Sequence, residues 1–271
     1  ALPTRQEIVV FTDGTLNSLQ FLGTTDVFGI QELSDNISIA GPRSVIAVNN
    51  TVYWMGTDKF YAYSGRVETL PCTLRNHVFT NLNYDQLDQI VCGTNEGWNE
   101  IWWFYPTAGS TKNNAYVIYN HLERIWYYGS MERSAWLDTP LREYPQAIVG
   151  SYMLNHEQGL NDDALPMTSF IQTSDFDLMD GDEFLLIKRI IQDNDFNGST
   201  STNPTVRMTM KPRNFPGASY GTSPSQRVIE TTVDQYTNQI FLRARARQMG
   251  FLISSSDLNS QWQLGSPRLD G

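Results

Sequence analysis

Cysteine is nearly missing from this chain. Two thiols, Cys72 and Cys92, in 271 residues cannot make a disulfide framework, and both stand in or beside strand-like runs as small buried hydrophobes. Helical periodicity is almost absent as well; the one candidate, residues 83–89, is too short to organise a fold. No apolar run approaches the ~18 residues that a membrane-spanning helix requires. Charge is sparse at 18%, and cations are the scarcer kind, 19 against 29 acidic side chains, for a formal net charge of −10. That balance argues against a general wrapper of nucleic acid, whose phosphates must be neutralised. Histidine is rare too: His77, His121 and His156 stand alone, none at a metal-ligand spacing. His156-Glu157 forms a candidate acid–base pair, although a hydrogen-bonded loop histidine is the plainer reading. The first residue is Ala, and the last five, Pro267 to Gly271, read as interrupted, so the chain is expected to be an excerpt of a longer one.

Aromatic residues fill the space those absences leave: 13 Phe, 13 Tyr and 7 Trp, too many for a chain that stays disordered. They sit in short runs cut by turn residues. Val45-Ile46-Ala47-Val48 meets Asn49-Asn50, then Val52-Tyr53-Trp54-Met55, then Gly56-Thr57-Asp58, then Phe60-Tyr61-Ala62-Tyr63 and Ser64-Gly65. Asn and Gly tolerate the positive φ that tight hairpin turns demand, so this is an antiparallel meander. Gln89 to Tyr127 repeats the grammar, with Ile101-Trp102-Trp103-Phe104 beside Val52-Tyr53-Trp54-Met55 and Tyr116-Val117-Ile118-Tyr119 beside Phe60-Tyr61-Ala62-Tyr63. Ile8-Val9-Val10-Phe11, turned by Asp13-Gly14, reads as the tail of an earlier unit. Four-stranded units repeated at roughly 40 residues are the mark of β-propeller blades.

The fold class expected is all-β. Partial propeller blades occupy 1–134, an irregular connector 135–166, and an antiparallel β-sandwich 167–271. Its strands are read at 168–173, 184–191, 205–211, 227–232, 239–247 and 248–254. Val206, Met208 and Met210 alternate there with Arg207, Thr209 and Lys211, so one face is expected to be wet.

Candidate chemistry is thin. Gly217-Ala218-Ser219-Tyr220-Gly221 matches the G-x-S-x-G string of serine hydrolases, but that motif needs a following helix, and Thr222-Ser223-Pro224 follows instead. Asp175, Asp177, Asp180, Asp182 and Glu183 crowd nine residues, in a stretch without Lys or Arg from Glu143 to Ile187. Such density suggests Ca²⁺, yet the EF-hand spacing fails after Asp177, and Asp180-Gly181 is also a ready turn. Glu96, Glu100 and Asp138 are candidates for the paired carboxylates of glycoside hydrolysis, expected ~5–9 Å apart for Glu100 and Asp138. Trp102, Trp103 and Trp126 read as core more readily than as sugar platforms; Trp98, in a turn, is the best exposed stacking candidate. Arg243, Arg245 and Arg247 alternate and share one face of a strand. They read equally as a contact for a polyanion or acidic partner and as solvated charge guarding a sheet. No cofactor is expected.

Several phrases carry a likeness: Val52-Tyr53-Trp54-Met55-Gly56-Thr57-Asp58-Lys59-Phe60-Tyr61, Glu100-Ile101-Trp102-Trp103-Phe104-Tyr105-Pro106, Ser134-Ala135-Trp136-Leu137-Asp138, and the closing run from Trp262 to Gly271. From Glu7 to Gly271 the chain resembles the tail nozzle, or packaged-DNA stabilisation, proteins of short-tailed bacteriophages. The resemblance implies a propeller-bearing structural virion protein, assembled in the host cytoplasm as a ring, commonly of six copies. It implies a place below the portal and adaptor, lining or closing the channel through which DNA leaves. It carries no catalytic residues, so a non-enzymatic chain is expected. An acidic wall suits that role, because each Lys or Arg on it would hold phosphate. The alternatives are a carbohydrate- or receptor-binding propeller and a glycan-cleaving one.

Overall fold

The computed structural model describes residues 1–177, 182–220 and 228–271. The chain divides into two compact units, Ala1–Gln158 and Gly159–Gly271, and almost every regular element in both is a strand.

The first unit is a succession of meanders. Strands β1 (Leu2–Pro3), β2 (Ile8–Phe11), β3 (Leu16–Phe21) and β4 (Phe28–Ser34) pair in sequence order. So do β5 (Val45–Val48), β6 (Thr51–Met55), β7 (Phe60–Tyr63) and β8 (Val67–Leu70). A short helix α1 (Arg75–Phe79) and a 3-10 segment (Tyr84–Gln89) lead to β9 (Val91–Asn95), β10 (Glu100–Tyr105), β11 (Ala115–Asn120) and β12 (Ile125–Gly129). A fourth, three-stranded meander follows: β13 (Ala135–Leu137), β14 (Gln146–Val149) and β15 (Tyr152–Asn155). The first strands lie side by side, β1 against β5, β5 against β9 and β9 against β13. That is the propeller-type arrangement, in which each blade lays its leading strand beside the next. The expected turn chemistry holds: Asn49 (φ 49°) and Asn50 (φ 67°) both sit in the left-handed region and set the register Val48↔Thr51.

Tryptophan joins the meanders. A buried indole contributes a large apolar surface but needs a partner for its N–H, and here carbonyls of neighbouring segments supply it. Trp103, fully buried, donates to Ser44 O just ahead of β5 at 3.0 Å. Trp126 donates to Pro71 O at 2.8 Å, and Trp136 to Thr94 O at 2.6 Å. Trp136 also stacks on Trp102, with centroids 5.1 Å apart. Its ring lies directly on Gly93, where an added Cβ would come within 2.1 Å of Trp136 Cδ1. Gly93→Ala is therefore expected to cost about 2 kcal/mol by overpacking, read as a lowered urea midpoint with altered tryptophan fluorescence.

One expectation is corrected. Residues 135–166 are not an irregular connector: 135–155 hold the fourth meander, and the unit boundary falls after Gln158. The strands there are only three or four residues long, with Pro140 and Pro145 between β13 and β14, so no alternation has room to show. Helix α1 carries no signal in the sequence, being a single turn with no side-chain cap.

In the second unit, β16 (Asn161–Asp162) pairs with β17 (Leu165–Pro166). Then come β18 (Ser169–Gln172), β19 (Phe176–Asp177), β20 (Leu185–Ile191), β21 (Asn194–Asp195), β22 (Thr205–Arg213), β23 (Ile229–Asp234), β24 (Gln239–Ala246), β25 (Gln248–Ser255), β26 (Gln263–Leu264) and β27 (Arg268–Asp270). One sheet runs β18-β25-β22-β23 with β19 also on β25; the other runs β24-β20-β27. Ile187, Ile190, Ala244 and Ala246 from one sheet share a core with Val206, Met208, Met210, Met249 and Ile253 from the other, which makes a sandwich. Arg247 alone separates β24 from β25, so the chain changes sheets across one residue. Thr209 departs from the expected wet face: it is buried, between the neighbouring strands' Glu230 and Leu252 in the register.

Candidate functional site

The turn Asn95–Asn99 of the third meander gathers the carboxylates that the sequence singled out. Asn99 (φ 58°) closes the turn in the left-handed region. Trp98 rides on it, 61% exposed, while Asn120 Nδ2 donates to Trp98 O at 3.0 Å and fixes the backbone beneath it. Glu100, at the start of β10, accepts from Trp102 Nε1 at 3.0 Å. Burial pushes its carboxyl above the usual range; the indole bond opposes this and the charge of Glu157 adds to it. Asp138 instead caps the turn, accepting from the Glu96 N–H at 2.8 Å. The electrostatic partner of Glu100 is thus Glu157, which is itself held by Asn95 Nδ2 at 3.1 Å. Sequence spacing could not find this pair, because 57 positions separate the two residues in the numbering.

His156 does not pair with Glu157. Its Nε2 accepts from Arg133 Nε at 2.9 Å, and its ring packs on Trp136, centroids 4.5 Å apart. Burial first, and the Arg133 charge second, lower its pKa to about 4. The unfolded chain, with an ordinary histidine near 6.5, binds the proton more readily. Stability is therefore full above about pH 6.5 and declines as pH falls toward 4. After allowance for solvent screening at this partly exposed ring, the loss is about 2 kcal/mol. Urea unfolding at the two pH values, compared between the wild type and His156→Gln, isolates it; equal slopes in both would contradict it. His121 is also held below its usual range, by burial, and His77 lies against Tyr128. Both cysteines are free and pack against the core; burial raises Cys92 and takes Cys72 to about 11.

In the second unit the first two aspartates of the run are occupied. Asp175 forms an ion pair with Arg213 and accepts the Tyr220 hydroxyl. It lies over Gly250, where a Cβ would meet Asp175 Oδ1 at 2.8 Å. Asp177 accepts from Gln248 Nε2 at 2.7 Å, and Asp182 is exposed. Asp180 lies outside the described residues, as does Gly221 of the G-x-S-x-G string. No group of three or more His, Cys, Asp or Glu able to hold a metal ion occurs among the described residues. The bonds that occupy Asp175 come from Arg213, 38 residues away, and Tyr220, 45 away, beyond any local motif.

Arg243 and Arg245 do share the exposed face of β24, while Ile240, Ala244 and Ala246 face the core. Arg245 and Arg247 both stack on the Phe184 ring, their guanidinium carbons 4.1 and 4.6 Å from its centroid. On the other sheet, Thr205, Arg207, Thr232, Ser254 and Asp257 line a polar cleft of about 220 Å³, below the ~300 Å³ at which small-molecule sites begin.

No protein-family model matches the chain, and no curated protein matches it. Among solved structures it is similar to the exo-beta-1,3-galactanase of Phanerochaete chrysosporium with galactose, at 8% identity and a TM-score of 0.29, covering 95% of this chain and 75% of that one. A single-residue variant of the same enzyme with beta-1,3-galactotriose matches at 7% identity, with the same TM-score and coverage. Both structures are of an enzyme, which runs against the expectation of a non-enzymatic chain, and that expectation is withdrawn. At this TM-score the likeness carries no argument about what the present chain does. What stands is the fold class: all-β, with propeller-type blades.

Proposed function

We propose that this chain is part of a structural virion protein, the nozzle of a short-tailed bacteriophage tail, working as a ring of copies around the DNA exit channel. The observation that carries the reading is where the phrases of the resemblance fall. Val52–Tyr61 runs through β6 into β7, Glu100–Pro106 is β10, and Ser134–Asp138 contains β13. Two of these strands, β10 and β13, carry tryptophans that join meander to meander, Trp103 and Trp136. Three of the four phrases thus fall on the strand frame of the first unit, and the fourth, Trp262 to Gly271, holds β26 and β27 of the second, which suits a part whose task is to keep its shape. The excess of 29 acidic over 19 basic residues leaves passing DNA unheld. The test is proteomic: peptides from both units are expected in purified phage particles and in the detached tail fraction. Recovery from infected cells but never from particles would overturn the reading.

A second reading, a propeller that binds or cleaves carbohydrate, is favoured by one local observation. Glu100 has a raised pKa with Glu157 adding to the shift, two residues after an exposed Trp98, and a general acid with a stacking platform needs those two residue types. If it is right, Glu100→Gln abolishes hydrolysis of a responsive oligosaccharide in a glycan panel, and Trp98→Ala weakens binding by about tenfold. A panel with no binder and no substrate removes this reading.

A further inference from the structure

The outer face of the sheet β24-β20-β27 concentrates positive charge on a chain that is otherwise acidic. Arg243 and Arg245 project from β24 beside Phe241, which is 74% exposed. The register between β20 and β24 shifts between Ile187 and Arg189, and Lys188 and Arg189 both lie outside the core there, flanked by buried Ile187 and Ile190. Arg268 stands opposite the exposed Ile191 in the register of β27. Arg247 completes the group through the Phe184 ring that it shares with Arg245. Against these six cations, the register places a single carboxylate on the face, Asp270, already paired with Arg189. Asp182 and Glu183, the acids next to Phe184 in sequence, are exposed. Among the described residues, Lys188, Arg243, Arg245, Arg247 and Arg268 form no ion pair, and Arg247 Nε is buried without a hydrogen-bond partner.

This arrangement is not that of solvated guard charge. Two guanidinium groups held on one ring have lost rotamer freedom before any partner arrives, and among the described residues Arg247 Nε has no hydrogen-bond partner. Exposed Phe241 and Ile191 among the arginines add an apolar anchor of the kind that dominates protein interfaces. Charge complementarity indicates what it meets. Setting the six cations and Asp270 aside leaves thirteen basic against twenty-eight acidic side chains on the rest of the chain, so a second copy offers the opposite sign. Two basic faces would repel each other, which excludes a self-to-self contact. We propose that this face docks on an acidic surface of a second copy of the chain, in a head-to-tail contact of the kind that closes rings. The inference rests on the ring reading and adds to it the surface through which copies join.

The experiment is sedimentation velocity of the 271-residue chain across a concentration series, with Arg243→Glu/Arg245→Glu as the test variant. Arg243→Ala/Arg245→Ala serves as the milder control, and circular dichroism confirms folding of both. The wild type is expected to assemble at about 0.05 M NaCl and to weaken at about 0.5 M. Charge reversal should raise the concentration for half-assembly on the order of a hundredfold, and the alanine pair roughly tenfold. Assembly that persists unchanged in both variants overturns the inference and leaves the ring reading standing. A wild type that stays monomeric overturns both. A monomer that binds a DNA oligonucleotide through these arginines assigns the face to a polyanion instead, and likewise overturns the inference.

Discussion

Trp103→Ala is expected to lower the unfolding free energy of the first unit by about 4 kcal/mol. The indole is fully buried among Phe60, 5.0 Å away by ring centroid, and Trp126, 6.1 Å away. Truncation therefore leaves a cavity where the second and third meanders meet. It also removes one of the two bonds to Ser44 O, which keeps only the Met55 N–H at 3.1 Å. Trp103→Phe separates the two contributions: it keeps most of the apolar surface, loses the hydrogen bond, and is expected to cost about 1–2 kcal/mol. Denaturant unfolding followed by far-ultraviolet circular dichroism reads both. Equal losses for the two variants would mean that the hydrogen bond, not the packing, joins the meanders.

Arg213→Ala is expected to cost the second unit about 3 kcal/mol, because it leaves Asp175 as an unpaired, mostly buried charge. The ion pair is only 15% exposed on the arginine side and 21% on the aspartate side, and Tyr220 reaches the same carboxylate. Replacing both partners, Asp175→Leu with Arg213→Met, removes the stranded charge and should recover most of the loss. The double-mutant cycle measures the coupling. Additive single losses would show that the pair contributes nothing as a pair.

Legibility followed the range of the interactions. The meander containing Asn49-Asn50 was readable because both determinants, the positive-φ turn and the alternating apolar runs, lie within a few residues of each other. The strands of the sandwich were readable on the same ground, with Val206, Met208 and Met210 buried as their spacing implied. The fourth meander was not, since β13 to β15 owe their order to neighbours: Trp136 needs Gly93 beneath it and Thr94 O beside it. At the candidate sites, composition led to the right stretches but not to the partners. Glu100 was singled out while Glu157 was read only beside His156. The aspartate run was noticed, but not Arg213, which holds its first member. Alternation placed Arg243 and Arg245 on one face, yet nothing local indicated that Phe184 would hold two guanidinium groups.

Native mass spectrometry of the chain tests the central claim most directly. If its copies join head to tail into a ring, the spectrum holds one dominant closed multiple of the 30.8 kDa subunit, with no larger members above it. A monomer at every concentration, or an open ladder without a preferred size, would contradict the account.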